Sequence, residues 1–213
     1  MFGALANDKY AGYAKDIHHS GSHLLAIIND ILDLAKAESG KLQLNEEQIP
    51  VSEMLAQCKR MCDGPADTHK VDLSFSCEQE ELRICADKRL LLQVLINLVT
   101  NGIKFTNEGG AVEVKMSASL RDGIAITVSD NGIGIAPEDI ERIMRAFEQV
   151  ESSYSRVRGG CGLGLPYAKS LTELHGGQLG ISSILGTGTK VTVKLPASRI
   201  VQKAEDSKLV LVA

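Results

Sequence analysis

The chain has 213 residues, which is enough for one or two domains with a sizeable hydrophobic core. Its apolar content of 44% and charged content of 23% are ordinary for a globular protein, and its formal net charge of -4 does not favour non-specific binding to nucleic acid. No apolar run approaches the ~20 residues of a membrane span, so we expect no contact of this chain with nucleic acid or membrane. The five cysteines form no disulfide framework, which is typical of free thiols in a reducing cytoplasm.

Residues 8–38 are predicted to form one long helix. Apolar or small residues recur in alternating steps of four and three, which is the heptad pattern of a coiled-coil seam. Leu25 and Leu32 widen the apolar surface beyond a two-stranded stripe, which favours burial in a four-helix bundle. One helix cannot build such a bundle, so we expect a homodimer through this helix. The seam consists of Tyr10, Ala14, Ile17, Gly21, Leu24, Ile28, Ile31 and Ala35.

The residues after Ser39 and Gly40, which end this helix, predict a separate α/β domain. Asp87 is expected to cap one of its helices. The polar segment 148–160 predicts a flexible loop, and the residues from 198 onward predict a tail. Strands are expected at 42–44, 71–77, 82–86, 112–116, 124–128, 178–184 and 189–195, and helices at 51–63, 88–104, 137–146 and 163–174.

Cys58 and Cys62 lie one turn apart on the first helix of this domain. They could be core side chains or half of a metal site. No second pair of ligands lies nearby in the sequence, so we favour packing.

Asp130 stands at the end of a predicted strand whose alternation places it on the core-facing side. A carboxylate there needs a partner, because an unpaired buried charge is costly. It could cap the following turn, or it could accept a hydrogen bond from an adenine amino group. Gly132 and Gly134 would let the backbone turn sharply against a flat ring.

Asn97, Asn101 and Lys104 follow one another on one face of the preceding helix. Asn97 could be an internal polar contact and Lys104 a solvated side chain. Alternatively, Asn101 could bind Mg²⁺ through its side-chain oxygen while Lys104 meets a phosphate, because Mg²⁺ prefers oxygen ligands and substrate phosphates.

Residues 160–165 alternate glycine with other residues and open a predicted helix. Glycines at a helix start expose backbone N–H groups to an anion, and the helix dipole adds to the attraction. A dinucleotide-binding βαβ unit would need a strand directly before these glycines. A polar loop precedes them instead, which disfavours that alternative.

Three segments resemble, in this order, sequence boxes of the ATP-binding domain of sensor histidine kinases. They are residues 97–106 (N box), 130–135 (G1 box) and 160–165 (G2 box). Residues 16–41 resemble the second helix of the dimerisation domain, most similarly to the subgroup that contains the cell-cycle kinases PleC and DivJ. The resemblance implies an α+β fold, a two-layer α/β sandwich of the Bergerat type preceded by a long dimerisation helix. Residues 1–40 would then be part of the dimerisation domain, 41–197 the catalytic ATP-binding domain and 198–213 a C-terminal tail.

The resemblance also implies a protein histidine kinase that uses ATP and Mg²⁺. The γ-phosphoryl group would pass to a histidine and then to an aspartate of a response-regulator receiver domain. Asp130 would read adenine, Asn101 would hold Mg²⁺, and the residue at Cys161 is usually Thr or Ser in the family. The nucleotide-binding residues implied are Asn97, Asn101, Lys104, Phe105, Asp130, Gly132, Gly134, Arg156, Gly160, Cys161, Gly162, Leu163, Gly164 and Thr189.

Three further segments resemble parts of this family. Phe147 begins a stretch similar to the F box and could also be a core residue, since the two interpretations are compatible. The loop from there to Gly159 resembles the ATP lid. Arg156 and Arg158 could reach the γ-phosphate or be solvated. Residues 186–189 resemble a further glycine box with a supporting role, and His175 is expected to be a helix-end residue.

The family's phosphoacceptor pattern, His-Glu-hydrophobic-Arg-Thr/Ser-Pro, does not occur in the chain. His18, His19 and His23 lack the acidic neighbour and are expected to be surface or bundle residues. We therefore expect a fragment that begins after the first dimerisation helix and has no catalytic residue of its own.

Two other functions compete with the kinase. One is a module that binds ATP or a response regulator without autokinase activity, because the acceptor histidine is missing. The other is an ATPase that uses water. Related ATPases carry a glutamate four residues before the magnesium asparagine, where this chain has Asn97, and this favours the kinase.

Overall fold

The computed structural model describes residues 8–38, 40, 42–79, 81–148 and 161–201. The chain falls into two compact units, residues 1–42 and 43–213. Arg156, Arg158 and Gly160, with the rest of the predicted lid, lie outside the described residues, as do the side chains of His19 and His23. No helix in the described ranges is both long and apolar enough to cross a membrane.

The first unit contains the predicted long helix α1 (Asp8–Glu38), which has 31 residues. Several seam side chains are exposed to solvent, including those of Ile17, Leu24 and Ile28. His18 is also exposed, as expected for a surface residue.

The second unit is a two-layer α/β structure, which confirms the predicted fold class. Its strands form a five-stranded sheet with the order β2-β4-β5-β7-β6, and a small second sheet pairs β1 with β3. Only β2 and β4 are parallel within the larger sheet. The elements are β1 (Glu47–Pro50), α2 (Val51–His69), β2 (Asp72–Cys77), β3 (Arg83–Ala86), α3 (Lys88–Phe105), β4 (Ala111–Ser119), β5 (Gly123–Asp130), α4 (Ile140–Ile143), α5 (Gly164–Leu174), β6 (Gln178–Ile184) and β7 (Gly188–Leu195).

The core lies between the sheet and helices α2, α3 and α5. On β5, Ile124, Ile126 and Val128 alternate toward this core, as their period of two predicts. Helix α3 lies at its centre and begins as predicted, with the Oδ1 atom of Asp87 accepting a hydrogen bond from the N–H of Leu90 at 3.0 Å.

The predicted strand at 42–44 is wrong, because the first strand is Glu47–Pro50. Ile49 lies opposite Ile84 of β3, and both side chains are fully buried. Leu42 and Leu44 are only partly buried and have no strand beside them. The position of the strand was thus set by a partner more than 30 residues away, which the local pattern does not reveal.

Helix α2 continues through Gly64 and Pro65 to His69, beyond the predicted end at 63. A proline inside a helix loses one backbone hydrogen bond. Here Pro65 is exposed, so water can replace the lost partner.

Cys58 and Cys62 are both fully buried on the core side of helix α2, as the packing interpretation predicts.

The predicted helix 137–146 is also wrong in length. A 3-10 turn at Pro137–Asp139 leads into α4, which has only four residues.

At the other end of the unit, residues expected to start a tail are attached to the domain. A 3-10 turn covers Ala197–Arg199, and the N–H of Val201 donates to the carbonyl of Arg83 at 2.9 Å.

Candidate functional site

Asp130 ends strand β5 between Val112 of β4 and Thr189 of β7. Its Oδ1 atom accepts hydrogen bonds from the backbone N–H of Gly132 at 2.9 Å and of Thr189 at 3.2 Å. Within the described ranges, Oδ2 has no hydrogen-bond partner. Burial raises the pKa of this carboxyl group, and the two N–H donors oppose the shift. One oxygen therefore caps the turn, while the other is left for a further donor.

The G1 box (residues 130–135) is joined to the end of α3. The N–H of Ile133 donates to the carbonyl of Phe105 at 3.1 Å. Any Cβ at Gly132 would overlap that same carbonyl oxygen. Gly132 is thus required by close backbone contact, and the end of the N box (residues 97–106) is fixed against the G1 box.

The G1 box is also joined to the β6–β7 hairpin. The N–H of Gly186 donates to the carbonyl of Ile133 at 2.7 Å. Gly134 has a φ of 66° and passes so close to Ile184 that a Cβ would overlap its carbonyl oxygen. Gly188 similarly lies against the carbonyl of Asp130. The glycine box at 186–189 therefore holds the segment that follows Asp130.

The N box meets the start of α5 at Asn101. A Cβ added to Gly164 would lie 3.2 Å from the Nδ2 atom of Asn101. The side chain of Asn101 forms no hydrogen bond to any described residue. Asn97 is engaged, because it accepts from Gln93 at 3.1 Å and donates to the carbonyl of Gly164 at 3.4 Å. The internal-contact interpretation of Asn97 thus fits the structure.

Helix α3 also lies close to Asp130. A Cβ on Gly102 would be 3.2 Å from Val112 and 3.9 Å from the Cβ of Asp130. The Nζ atom of Lys104 lies 4.9 Å from the centre of the Phe105 ring, a cation–π distance. The described parts of the N, G1 and G2 boxes (G2, residues 160–165) therefore converge around Asn101 and Gly102.

The N-terminal end of α5 carries backbone donors that the helix does not use. The first intrahelical bond found there runs from the N–H of Tyr167 to the carbonyl of Leu163 at 2.9 Å. No described side chain caps this helix, and Pro166 has no N–H. The amides of Gly164 and Leu165 are therefore oriented for an anion beyond the helix end.

Phe147 and Gly162 lie on either side of the predicted lid and contact each other. The N–H of Phe147 donates to the carbonyl of Gly162 at 3.2 Å, and both residues have positive φ, 66° and 71°. The alternative that Phe147 is a core residue is wrong, because its side chain is 61% exposed. Cys161, beside this junction, is partly buried.

Sequence reasoning missed Ser183 of β6. Its hydroxyl accepts from the N–H of Ile135 at 2.8 Å and contacts the Thr189 hydroxyl at 2.9 Å. The sequence pattern could have revealed it, because the alternation of β6 places Ser183 on the same side as Leu179 and Ile181. A polar residue on that side requires a partner.

His175 ends α5 as predicted, and it is fully buried in a polar cluster that the sequence did not reveal. Its Nδ1 atom lies 2.7 Å from the carbonyl of Leu171, while Nε2 accepts from the N–H of Asp87 at 3.3 Å. Burial lowers the pKa of this imidazole, with Arg199 adding to the shift and the carboxylates of Asp87 and Glu46 opposing it. His175 therefore joins the ends of α3 and α5 as a neutral ring.

Comparison with known proteins identifies the family. Residues 86–199 match the family described as histidine kinase-, DNA gyrase B-, and HSP90-like ATPase. The non-motile and phage-resistance protein of Caulobacter vibrioides is 43% identical over 95% of this chain and 24% of its own length. Histidine protein kinase DivJ of the same organism is 44% identical over 92% of this chain and 32% of its own length. The chain thus spans a third or less of either relative.

Solved structures agree. The crystal structure of full-length ShkA in complex with AMPPNP matches with a TM-score of 0.81 and 28% identity, over 95% of this chain and 41% of that one. The histidine kinase AdeS of Acinetobacter baumannii has a TM-score of 0.72 at 20% identity, over 87% and 84% of the two chains, which is a likeness of fold. Together these matches confirm the resemblance drawn from the N, G1 and G2 boxes: the chain belongs to the histidine kinase-, DNA gyrase B-, and HSP90-like ATPase family, among its sensor histidine kinases.

Proposed function

We propose that this chain is the ATP-binding catalytic part of a sensor histidine kinase, which transfers the γ-phosphoryl group of Mg-ATP to a histidine and onward to an aspartate of a response regulator. The observation that carries the proposal is the convergence of the three boxes. Asn101 contacts Gly164 of the G2 box, while its neighbour Gly102 lies against Asp130 of the G1 box. The complex of ShkA with AMPPNP, an ATP analogue, supports the same assignment.

The adenine end of the site fits a base with an exocyclic amino group. Both Gly132 and Thr189 donate to Oδ1 of Asp130, which leaves Oδ2 to accept from that amino group. Desolvation makes a carboxylate a strong acceptor when a donor arrives. Gly134 leaves no room for a side chain against Ile184, so the turn after Asp130 stays close to the β6–β7 hairpin.

The phosphate end would be held by α3 and α5. Asn101 offers an amide oxygen to Mg²⁺, and the first amides of α5 offer donors to phosphate oxygens. A magnesium ion held by Asn101 would neutralise negative charge on the phosphate oxygens. Lys104 would add positive charge. Cys161 lacks the hydroxyl usual at this position, but backbone amides do not depend on it. The roles of Gly160 and Arg156 in nucleotide binding remain predictions.

Transfer to water is disfavoured by the residue at position 97. A general base must accept a proton within hydrogen-bond reach of the water. Asn97 is a neutral amide whose two ends are engaged by Gln93 and Gly164. We therefore infer slow hydrolysis and a protein side chain as the phosphoryl acceptor.

The partners follow from the same proposal. The exposed apolar side chains of α1, including Ile17 and Leu24, would be buried against a second copy of the chain. A response-regulator receiver domain would be the second partner. A protein that uses ATP and keeps its cysteines as thiols is expected to act in the cytoplasm.

Removal of the Asn101 amide should eliminate the effect of Mg²⁺ on ATP binding. Asn101→Ala is expected to weaken ATP binding at least about tenfold in Mg²⁺, and little in EDTA, because loss of a direct ligand should cost no less than loss of an outer-shell partner. Isothermal titration calorimetry in the two buffers measures this. Asn107→Ala, at an exposed asparagine, is the matched control. An Mg²⁺ effect of wild-type size in Asn101→Ala would contradict the metal role.

Phosphoryl transfer should be visible when an acceptor is supplied. The chain is mixed with γ-labelled Mg-ATP and the dimerisation domain of DivJ, its 44%-identical relative. We expect acid-labile, base-stable label on the acceptor, and no label when the Asn101→Ala variant replaces the wild-type chain. Steady release of labelled phosphate to water without labelled protein would instead identify an ATPase. ATP binding without either product would identify a binding module.

A further inference from the structure

The hydroxyl of Ser183 has every hydrogen-bonding position in use. It donates to the carbonyl of Gly188 at 2.9 Å and accepts from the N–H of Ile135 at 2.8 Å. Thr189 Oγ1 lies 2.9 Å away, and since the Ser183 proton is already donated, the Thr189 hydroxyl is the donor in this pair. One side chain thus connects two backbone groups, the N–H of Ile135 and the carbonyl of Gly188, with the hydroxyl of Thr189.

Two of these connections lead to Asp130. Thr189, held through its hydroxyl, presents its N–H to Oδ1 of Asp130 at 3.2 Å. Gly188, held through its carbonyl, lies directly against the backbone of Asp130. The contacts that orient the Asp130 carboxylate from the side of the β6–β7 hairpin are therefore connected to Ser183.

The third connection leads to the far end of the G1 box. Ile135 is fixed by Ser183, and Ile133 accepts from Gly186 of the hairpin. Both ends of the turn that would face the base are thus attached to the β6–β7 hairpin. Apart from the carboxylate of Asp130 itself, Ser183 is the only side chain among the described residues found to join this turn and Thr189.

We propose that Ser183 is a positioning residue that determines selectivity for the 6-substituent of the purine. The inference rests on the proposed role of Asp130 in binding adenine. A carboxylate oxygen in a fixed direction accepts from the 6-amino group of ATP and opposes the 6-oxo group of inosine or guanosine triphosphate. A loosely held carboxylate contributes less binding energy with the 6-amino group. It also repels the 6-oxo group less, because it can turn away.

The test compares ATP with inosine triphosphate, which has a 6-oxo group and an N1–H in place of the 6-amino group and unprotonated N1. Ser183→Ala should weaken ATP binding about tenfold and lower the ATP-to-ITP selectivity by a similar factor, because it removes three hydrogen bonds of modest individual strength. Ser183→Thr, which keeps the hydroxyl and suits a strand, should restore most of the selectivity. Ser182→Ala, the next residue on the exposed face, should match the wild type.

A second route avoids dependence on one variant. Thr189→Val removes the hydroxyl that donates to Ser183 but keeps the N–H that binds Asp130, and it should lower the selectivity as Ser183→Ala does. The double variant should be no worse than Ser183→Ala alone, because that substitution already removes the hydrogen bond between Ser183 and Thr189. Wild-type selectivity in both single variants would overturn the inference. A wild-type chain that binds neither nucleotide would instead overturn the proposed function.

Discussion

Asp130→Asn should abolish tight ATP binding and at the same time stabilise the folded domain at neutral pH. The asparagine Oδ1 atom can still accept from Gly132 and Thr189, so the turn after β5 is retained. Its amide nitrogen would replace Oδ2 and oppose the amino group of adenine, donor against donor. Loss of a charge-assisted hydrogen bond and gain of this opposition should weaken ATP binding by about 100-fold or more.

The stability gain follows from the direction of the pKa shift. Burial raises the pKa of Asp130, so folding disfavours its ionised form. That destabilisation is fully present above the folded-state pKa and disappears below the unfolded value of about 3.9. Asp130→Asn should therefore raise Tm by a few degrees at pH 7–8, with a gain that shrinks as the pH approaches 4.

Two measurements check this prediction. Calorimetric titration gives the loss of ATP binding, and thermal unfolding without nucleotide between pH 4.5 and 8 gives the stability difference. Asp72→Asn, at an exposed carboxylate on β2, should change neither quantity. Unchanged ATP affinity in Asp130→Asn would refute the adenine role, and a lower Tm at pH 8 would refute the assigned cause of the pKa shift.

Gly134→Ala should be among the most destabilising single substitutions in the domain. Gly134 has a φ of 66°, which disfavours any side chain, and a Cβ would overlap the carbonyl oxygen of Ile184. Strain in the left-handed region costs about 1–2 kcal/mol, and overpacking against backbone adds about 1–3 kcal/mol. The free energy of unfolding should fall by about 3 kcal/mol.

Gly186→Ala separates the two causes. Gly186 has a similar φ of 79°, but a Cβ there would meet open space. Gly186→Ala should therefore lose only the free energy of left-handed backbone strain. Its Tm should lie about 5–10 °C above that of Gly134→Ala. Urea and thermal unfolding of both variants measure the difference. Equal losses would mean that conformational strain alone, without the contact to Ile184, explains the requirement for glycine.

Much of the fold was predictable because local signals agreed with the tertiary structure. Alternating Ile124, Ile126 and Val128 predicted β5, and Asp87 predicted the start of α3. The elements that were wrong depended on distant or exposed surroundings. Ile49 needed Ile84 to define β1, because pairing sets a strand's position more than its own apolar content does.

The candidate site divides in the same way. Spacing alone placed Asn101 on one face of α3 with Asn97, and the structure shows that Asn101 lies near the start of α5. Strand alternation placed Asp130 on the core-facing side of β5. The identity of the ligand came from the resemblance of the three boxes to a known family. Ser183 and His175 were not predicted as members of polar networks, because each acts through partners from other elements that only the folded chain brings together.

Helix α3 serves two purposes, and this limits how the protein can change over evolutionary time. Nine of its 18 residues are buried in the core, and Asn101 stands on the remaining surface. A substitution that moved this helix would disturb core packing as well as the proposed position of the metal ion. The tip of the β6–β7 hairpin is different, since Ile184 and Leu185 are largely exposed. Substitutions that alter nucleotide affinity among such domains are therefore expected mainly at the tip of the hairpin. Few are expected in α3.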